Sequence, residues 1–382
     1  MDAERFPHYV RSGRSMLRCG YTTGTCAALA AAGAARLLLT GRAPEAVSLT
    51  TPKGIEVSVP LAEAELLEDG RTARCAVKKD AGDDYDVTNG MLVRAAAAKS
   101  AVPGICVDGG EGVGRVTKPG LDQPVGAAAI NRVPRQMIEE QVRRVCDELG
   151  FGGGMEVIVS IPGGAETAAR TFNPVLGVEG GLSILGTSGI VEPMSEQAIV
   201  DTIALQQRQA AAGGRAGLIL TPGNYGEDFL RDTGLDRKGV PVVKCSNFIG
   251  EALDIAATLH FERVLLAGHI GKLVKVAGGV MNTHSRYADC RMELFCAHAA
   301  LRGADRALCQ GLMDAATTDA CIALLDSAGL RAPVVDSLLS AVQLHLERRA
   351  AGAYQVGAIA FSNVYGLLGR TGRVKEILEQ WK

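Results

Sequence analysis

"RVLLAGHIGKLVKVAGG", Arg263–Gly279, sets the reading of the fold. A short apolar run ends at Gly268-His269, and apolar residues then recur at helical spacing between Lys272 and Lys275. That order is a buried strand, a small polar loop and a helix. It also occurs in "AGLILTPGNYGEDFL", Ala216–Leu230, and in "VPVVKCSNFIGEALDIAATL", Val240–Leu259. "GLSILGTSGIVEPMSEQAIVDTIALQQRQAAA", Gly181–Ala212, reads as a fourth instance. Four strands alternating with helices predict a doubly wound, mainly parallel α/β domain. Ligands of such sheets sit at the carboxyl ends of the strands. Those ends are expected at Gly186-Thr187-Ser188-Gly189, at Gly223 and Asn224, at Ser246 and Asn247, and at His269. Small residues there leave room, and Thr, Ser and Asn supply hydrogen bonds. Polar turns at these places are also what any α/β domain would carry.

The half before this domain has a different rhythm. "GYTTGTCAALAAAGAARLLLTG", Gly20–Gly41, predicts a helix with Thr23 or Thr25 near its N-cap and Gly41 as its stop. Two strands flank the Pro52-Lys53-Gly54 turn, and "PRQMIEEQVRRVCDELG", from Pro134, is an amphipathic helix. The expected organisation is an α+β domain over 1–165 and an α/β domain over 180–382 with a helical C-terminal part. The polar, Gly- and Pro-bearing stretch Gly163–Gly181 is the expected hinge. One late strand-like run, "VGAIAFSN", interrupts the C-terminal helices.

Composition narrows the function. Of 382 residues 47% are hydrophobic, enough for a folded core, while aromatics are 4% and net charge is −2. A stacking surface for nucleic acid and a field attracting nucleic acid or acidic lipid are both disfavoured. The ten cysteines form no C-x-x-C pair and lie mostly among apolar residues, as expected of reduced thiols in a cytoplasmic protein. The sequence leaves room for a homo-oligomer.

Three further stretches carry candidate chemistry. "CVDGGEGVGRVTKPGL", Cys106–Leu121, places Asp108 before Gly110, Gly112 and Gly114, resembling the first motif of S-adenosylmethionine-dependent methyltransferases. That motif needs a helix after the glycines, and Lys118-Pro119-Gly120 reads as a turn, so a tight hairpin is favoured. "HIGKLVKVAGGVMNTHSR" holds His269, Lys272, Lys275, His284 and Arg286. These cations could grip a polyanion or form a solvated face. The two histidines are fifteen residues apart with no carboxylate at ligand spacing, so no protein-bound metal is expected. "KKDAGDDYDVTNG", Lys78–Gly90, is either a solvated acidic loop or a seat for an amine. No Gly-Lys-Ser/Thr ends a glycine loop, which disfavours a phosphotransferase.

Taken in order, "GYTTGTCAA", "TPKGIEV", "KKDAGDDYDVTNG", "GGEGVGRVTKPGL", "VPRQMI", "TFNPVLGVEGGLSILGTSGIVEPMSE", "PGNYGEDFL", "KCSNFIGEALD" and "GHIGKLVKVAGGVMNTHSRYAD" resemble the cobalt-precorrin-5B C(1)-methyltransferase family of anaerobic cobalamin biosynthesis. The likeness runs from Leu17 to Asp289 and more loosely to the end. It implies S-adenosylmethionine as donor and a cobalt-bearing corrinoid as acceptor, with product cobalt-precorrin-6A. A non-catalytic tetrapyrrole-binding protein is the alternative.

On that footing the donor is expected at Gly186, Thr187, Ser188, Gly189, Gly223, Asn224, Ser246 and Asn247. The acceptor, with its carboxylate arms, is expected near Thr23, Thr25, Lys53, Gly112, Arg115, Lys118, His269, Lys272, His284 and Arg286. A bulky residue at Gly112 is expected to harm acceptor affinity more than donor affinity. No catalytic side chain is assigned, because an electron-rich ring carbon needs no protein nucleophile.

Overall fold

The structure is a computed structural model that describes residues 6–171, 173–174, 176–236 and 239–381. The chain divides into two compact units, Met1–Ser195 and Glu196–Lys382.

In the first unit the elements run β1 (Tyr9–Ser12), β2 (Ser15–Arg18), β3 (Gly20–Tyr21), α1 (Thr23–Thr40), β4 (Ala46–Thr50), β5 (Glu56–Pro60), β6 (Glu63–Leu66), β7 (Thr72–Lys78), β8 (Leu92–Ser100), β9 (Ile105–Gly109), β10 (Arg115–Val116), α2 (Arg132–Glu148), β11 (Gly154–Ser160), α3 (Gly164–Ala168), β12 (Val178–Glu179) and β13 (Ile190–Val191). The main sheet has the order β6-β7-β8-β11-β9, antiparallel except for β11 and β9. Its strands alternate: Ala73, Cys75 and Val77, then Val93, Ala95 and Ala97, then Met155, Val157 and Val159 are buried. That face is covered by α1 and α2. Seven buried alanines in α1, with Gly33 against Leu61 and Cys75, let the helix lie close to the sheet. This explains why α1 is apolar and long enough to cross a membrane by composition: 72% of it is buried within the protein.

The boundary differs from the expected one. The part of the expected hinge at residues 172 and 175 lies outside the described residues. Beyond it, β12 pairs with β10, Leu182 and Ile184 bridge to Val113 and Ile130, and β13 pairs with β3. Residues 180–195 therefore finish the first unit's pairing, and the second unit starts at Glu196.

The second unit continues with α4 (Glu196–Ala212), β14 (Gly217–Thr221), α5 (Asn224–Asp232), β15 (Val242–Lys244), α6 (Ile249–Thr258), β16 (Arg263–His269), α7 (Ile270–Ala277), α8 (Arg291–Ala300), α9 (Arg306–Met313), α10 (Thr318–Ser327), α11 (Arg331–Ala350), β17 (Gln355–Ser362), β18 (Gly366–Arg370) and α12 (Val374–Glu379). The sheet order is β15-β14-β16-β17-β18, parallel except for the edge strand β18. Both faces are covered, and the strands show it residue by residue. Leu218, Leu220, Val264, Leu266, Ala358 and Ala360 join the core with α6, α7 and α11, while Ile219, Leu265, Ala267 and Ile359 join the opposite core with α5 and α12. The fourth parallel strand is the late run β17, not Gly181–Leu185. Of the segment Gly181–Ala212, only the helical half belongs to this unit.

Candidate functional site

The four parallel strands of the second unit end at Thr221, Lys244, His269 and Ser362, which gathers their loops along one edge. Thr221 is buried and its hydroxyl donates to the Gly223 carbonyl at 3.1 Å, shaping the turn into α5. Gly223 has φ 124° and ψ 177°, a conformation open essentially to glycine alone. Ser246 has φ 52°, a left-handed backbone that costs a non-glycine residue about 1 kcal/mol or more.

Lys272, in the first turn of α7, reaches across to this loop. Its Nζ donates to the Ser246 carbonyl at 3.2 Å and to Asn247 Oδ1 at 2.9 Å. Asn247 also binds the downstream segment, since the Thr283 backbone N–H donates to its carbonyl at 2.9 Å. Burial pulls the Lys272 ammonium below its ordinary pKa. His269 caps α7: its Nδ1 accepts the Gly271 N–H at 3.1 Å, so in the neutral ring the proton sits on Nε2. Burial lowers the His269 pKa, and nearby Asp319 opposes the shift. Asp319 accepts the Ser362 hydroxyl at 2.7 Å, and Phe361 stands edge-on to the imidazole. Cys245 is buried and its thiol is pushed up to about 12, which makes it inert.

Other predicted cations prove to be engaged. Lys275 does not share a ligand face with Lys272. It is 3% exposed, and its Nζ donates to the carbonyls of Thr283 at 3.2 Å and Ala288 at 2.8 Å. Arg286 pairs with Glu196 and lies over the Tyr287 ring, and the Tyr287 hydroxyl donates to the same glutamate at 2.7 Å. His284 Nδ1 accepts the Arg286 N–H at 3.1 Å.

The first unit corrects the predicted donor loop. Gly186–Gly189 is not a strand end of the parallel sheet; it lies against the start of α1. Thr22 is the N-cap of α1, with Thr23 next to it and the Thr25 N–H donating to its hydroxyl. The Thr23 hydroxyl donates to the Leu185 carbonyl at 3.2 Å, and Thr25 Oγ1 donates to the Gly189 carbonyl at 2.7 Å. A Cβ on Gly186 would stand 2.3 Å from Thr22 Oγ1, and one on Gly189 2.7 Å from Thr51 Cβ. These glycines serve close packing, and the two threonines are latches. Ser188 Oγ donates to the Ile190 carbonyl at 3.0 Å, and Lys53 pairs with Glu192. Thr187 lines a cleft of about 340 Å³, with Leu49, Met137 and Glu140.

The glycine motif is a tight turn between strands, with no helix after it, but not a hairpin: β9 pairs with β11 in the main sheet, while β10 pairs with β12 in a separate two-stranded sheet. Gly112 has φ +72°, and a Cβ there would lie 1.9 Å from the Ile161 carbonyl oxygen. Substituting it would disturb the fold itself, so affinities could not assign its role. Asp108, the acid of the motif, accepts two hydrogen bonds from Arg115 at 2.8 and 3.0 Å. Arg115 stays half exposed, and the Lys118 side chain runs beside Gly177.

The acids of the acidic loop are already engaged. Arg18 grips Asp80, Asp83 accepts the Arg18 N–H at 2.7 Å, and Asp86 pairs with Lys79. Sequence reasoning missed Asp319 and Ser362 at the sheet end. The signal was present: Ser362-Asn363 ends an apolar run, as the other loops do.

The CbiD family model matches residues 10–193, and the model "CbiD, C-terminal domain" matches 282–372. The chain is 44% identical to the cobalt-precorrin-5B C(1)-methyltransferase of Ruminiclostridium cellulolyticum, covering 97% of this chain and 98% of that protein. It is 42% identical to its counterpart in Alkaliphilus metalliredigens, over 97% of each. The chain belongs to the cobalt-precorrin-5B C(1)-methyltransferase family. A further family relative, from Moorella thermoacetica, is 43% identical over 96% of this chain and 98% of its own length. A crystal structure of the cobalamin biosynthesis protein CbiD from Archaeoglobus fulgidus matches with 30% identity and a TM-score of 0.40, over 73% of this chain and 86% of that chain. Family membership makes the chain a methyltransferase of cobalamin biosynthesis. The non-catalytic alternative finds no support among these relatives.

Proposed function

We propose that this chain transfers the methyl group of S-adenosylmethionine to C-1 of cobalt-precorrin-5B, giving cobalt-precorrin-6A. Near-full-length similarity to relatives of that name carries the reading. Cobalt comes with the acceptor as part of the substrate.

The donor is assigned to the carboxyl end of the second unit's sheet, at Gly223, Asn224, Ser246 and Asn247. These residues fit it. Among the described residues, the place where a Cβ of Gly223 would lie has only Lys272 Nζ within 4 Å beyond its chain neighbours, at 3.7 Å, so the backbone there can be approached closely. The acceptor is assigned to the first unit's glycine turn, with Arg115 and Lys118 meeting its carboxylate arms. Positive charge there suits such arms.

S-adenosylmethionine supplies an activated methyl on a sulfonium, whose sulfur leaves as a neutral thioether. The macrocycle supplies the electron pair. The chain's own task is to hold ring carbon, methyl and sulfur in line and to keep water out. Such positioning can lower a barrier by about 7–11 kcal/mol in ideal cases. Neutral His269, with its proton on Nε2, supplies a hydrogen-bond donor at the sheet end rather than a base.

The test is anaerobic incubation with isotopically labelled S-adenosylmethionine and cobalt-precorrin-5B, read by mass spectrometry and NMR. One labelled methyl at ring carbon 1 is expected. No transfer to an intact acceptor, with a relative active alongside, would remove the reading.

A further inference from the structure

Lys272 stands out among the second unit's cations. It is half buried and has no carboxylate partner among the described residues. Its Nζ meets only a carbonyl and an amide oxygen. Taking an ammonium out of water without a counter-charge is costly, and two neutral acceptors offset that only in part.

The contact with Asn247 fixes more than the lysine. An ammonium has hydrogens to give and no lone pair, so the amide must turn its oxygen toward Nζ. Thr283 Oγ1, 3.3 Å from the same Oδ1, then acts as a second donor. The Asn247 NH2 group is therefore turned away from both, and it has no acceptor among the described residues. Lys272 has a third N–H beyond the two already used. The position of a Gly223 Cβ lies 3.7 Å from Nζ, so the absence of a side chain keeps the space beside the ammonium open.

We infer that Lys272 Nζ and the Asn247 NH2 group, beside the bare backbone of Gly223, form a seat for one carboxylate. This rests on the methyltransferase reading and adds the chemical group that the sheet end holds. Two carboxylates are available in that reaction: the amino-acid carboxylate of the donor, and an acetate or propionate arm of the macrocycle. The seat recognises the shared group.

Asn247→Asp separates the seat from its scaffold. An aspartate keeps an oxygen for Lys272 and for Thr283, so the loop stays tied. It replaces the two amide hydrogens with a negative oxygen, which would repel a bound carboxylate. Lys272→Met removes the charge while keeping most of the stem, and serves as the second probe. Affinities would be measured by calorimetry for S-adenosylhomocysteine, for the same molecule lacking its carboxylate, and, without oxygen, for cobalt-precorrin-5B. Thermal midpoints would be recorded alongside.

Each variant is expected to lose at least about tenfold in affinity for one of the two carboxylate ligands, with the thermal midpoint of Asn247→Asp close to the parent's. If the loss falls on S-adenosylhomocysteine, and the parent's preference for it over the decarboxylated molecule vanishes, the donor's carboxylate occupies the seat. A loss confined to cobalt-precorrin-5B places an arm of the macrocycle there. Unchanged affinity for both ligands in both variants, or an equal loss for every ligand including the decarboxylated one, overturns the seat. Failure of the parent to transfer a methyl group would instead overturn the function, leaving the binding comparison intact.

Discussion

Thr25 Oγ1 donates to the Gly189 carbonyl at 2.7 Å, joining the first turn of α1 to a loop 164 residues further along the chain. Thr25 is fully buried. Thr25→Val should destabilise the first unit by about 1 kcal/mol, since Gly189 keeps its second donor, the Thr22 N–H. Thr25→Ser should restore most of that loss. Denaturant unfolding reads both, and acceptor affinity in the serine variant should match the parent.

Gly112→Ala should cost about 3 kcal/mol or more, because the new Cβ meets backbone and the residue must hold a positive φ. Gly152→Ala is the control, with nothing within 4 Å and no positive φ. It should shift stability by no more than about 0.5 kcal/mol. Thermal unfolding of the two variants side by side checks the contrast.

Acid should weaken the first unit through Asp86. Burial alone would raise this carboxyl, but the Lys79 ammonium and the hydrogen bonds from Lys79 and Thr88 outweigh it and hold the pKa below the ordinary carboxylate range. A depressed folded pKa gives stability that is complete above the unfolded value of about 3.9 and is lost as pH falls through the folded one. Asp86→Asn should remove that dependence. It should also cost about 3 kcal/mol at neutral pH, because Lys79, with 2% of its side chain exposed, is left without its counter-charge. Unfolding curves from pH 7 down to pH 3 would show both effects.

Lys275→Met should destabilise the second unit by about 2 kcal/mol by orphaning the Thr283 and Ala288 carbonyls. Its distinctive sign should be faster protease cleavage between Gly279 and Asp289. Unchanged cleavage there would show that the segment holds its shape without the lysine.

The sequence made some elements plain and hid others for physical reasons. The strand–loop–helix units at Gly217, Val242 and Arg263 were legible because both faces of a parallel strand are buried, leaving continuous apolar runs. Gly181–Leu185 has the same local look, yet it pairs within the first unit; partner choice is not written in a short apolar run. Lys272 and Lys275 share a spacing that suggests one basic face. Their fates diverge because Lys272 reaches a neighbouring strand-end loop some 25 residues earlier, and Lys275 the segment that follows its own helix. The donor-type glycine motif was rightly read as a turn without a following helix, since Pro119 and Gly120 stand where a helix would have to continue; that its two strands join different sheets was not legible.

The arrival of β17 has a consequence for how the polypeptide can be divided. The strand pairs with β16 in register from Arg263 with Gln355 to His269 with Phe361, yet five helices are built between the two. The family's C-terminal segment, 282–372, therefore carries β17 and β18 but none of β14, β15 or β16. A fragment cut at that border would leave each piece with a bare strand edge, sticky toward its own kind. Mixed together, the two pieces should seek each other out and complement. The border that marks a module in the family marks a seam inside one sheet.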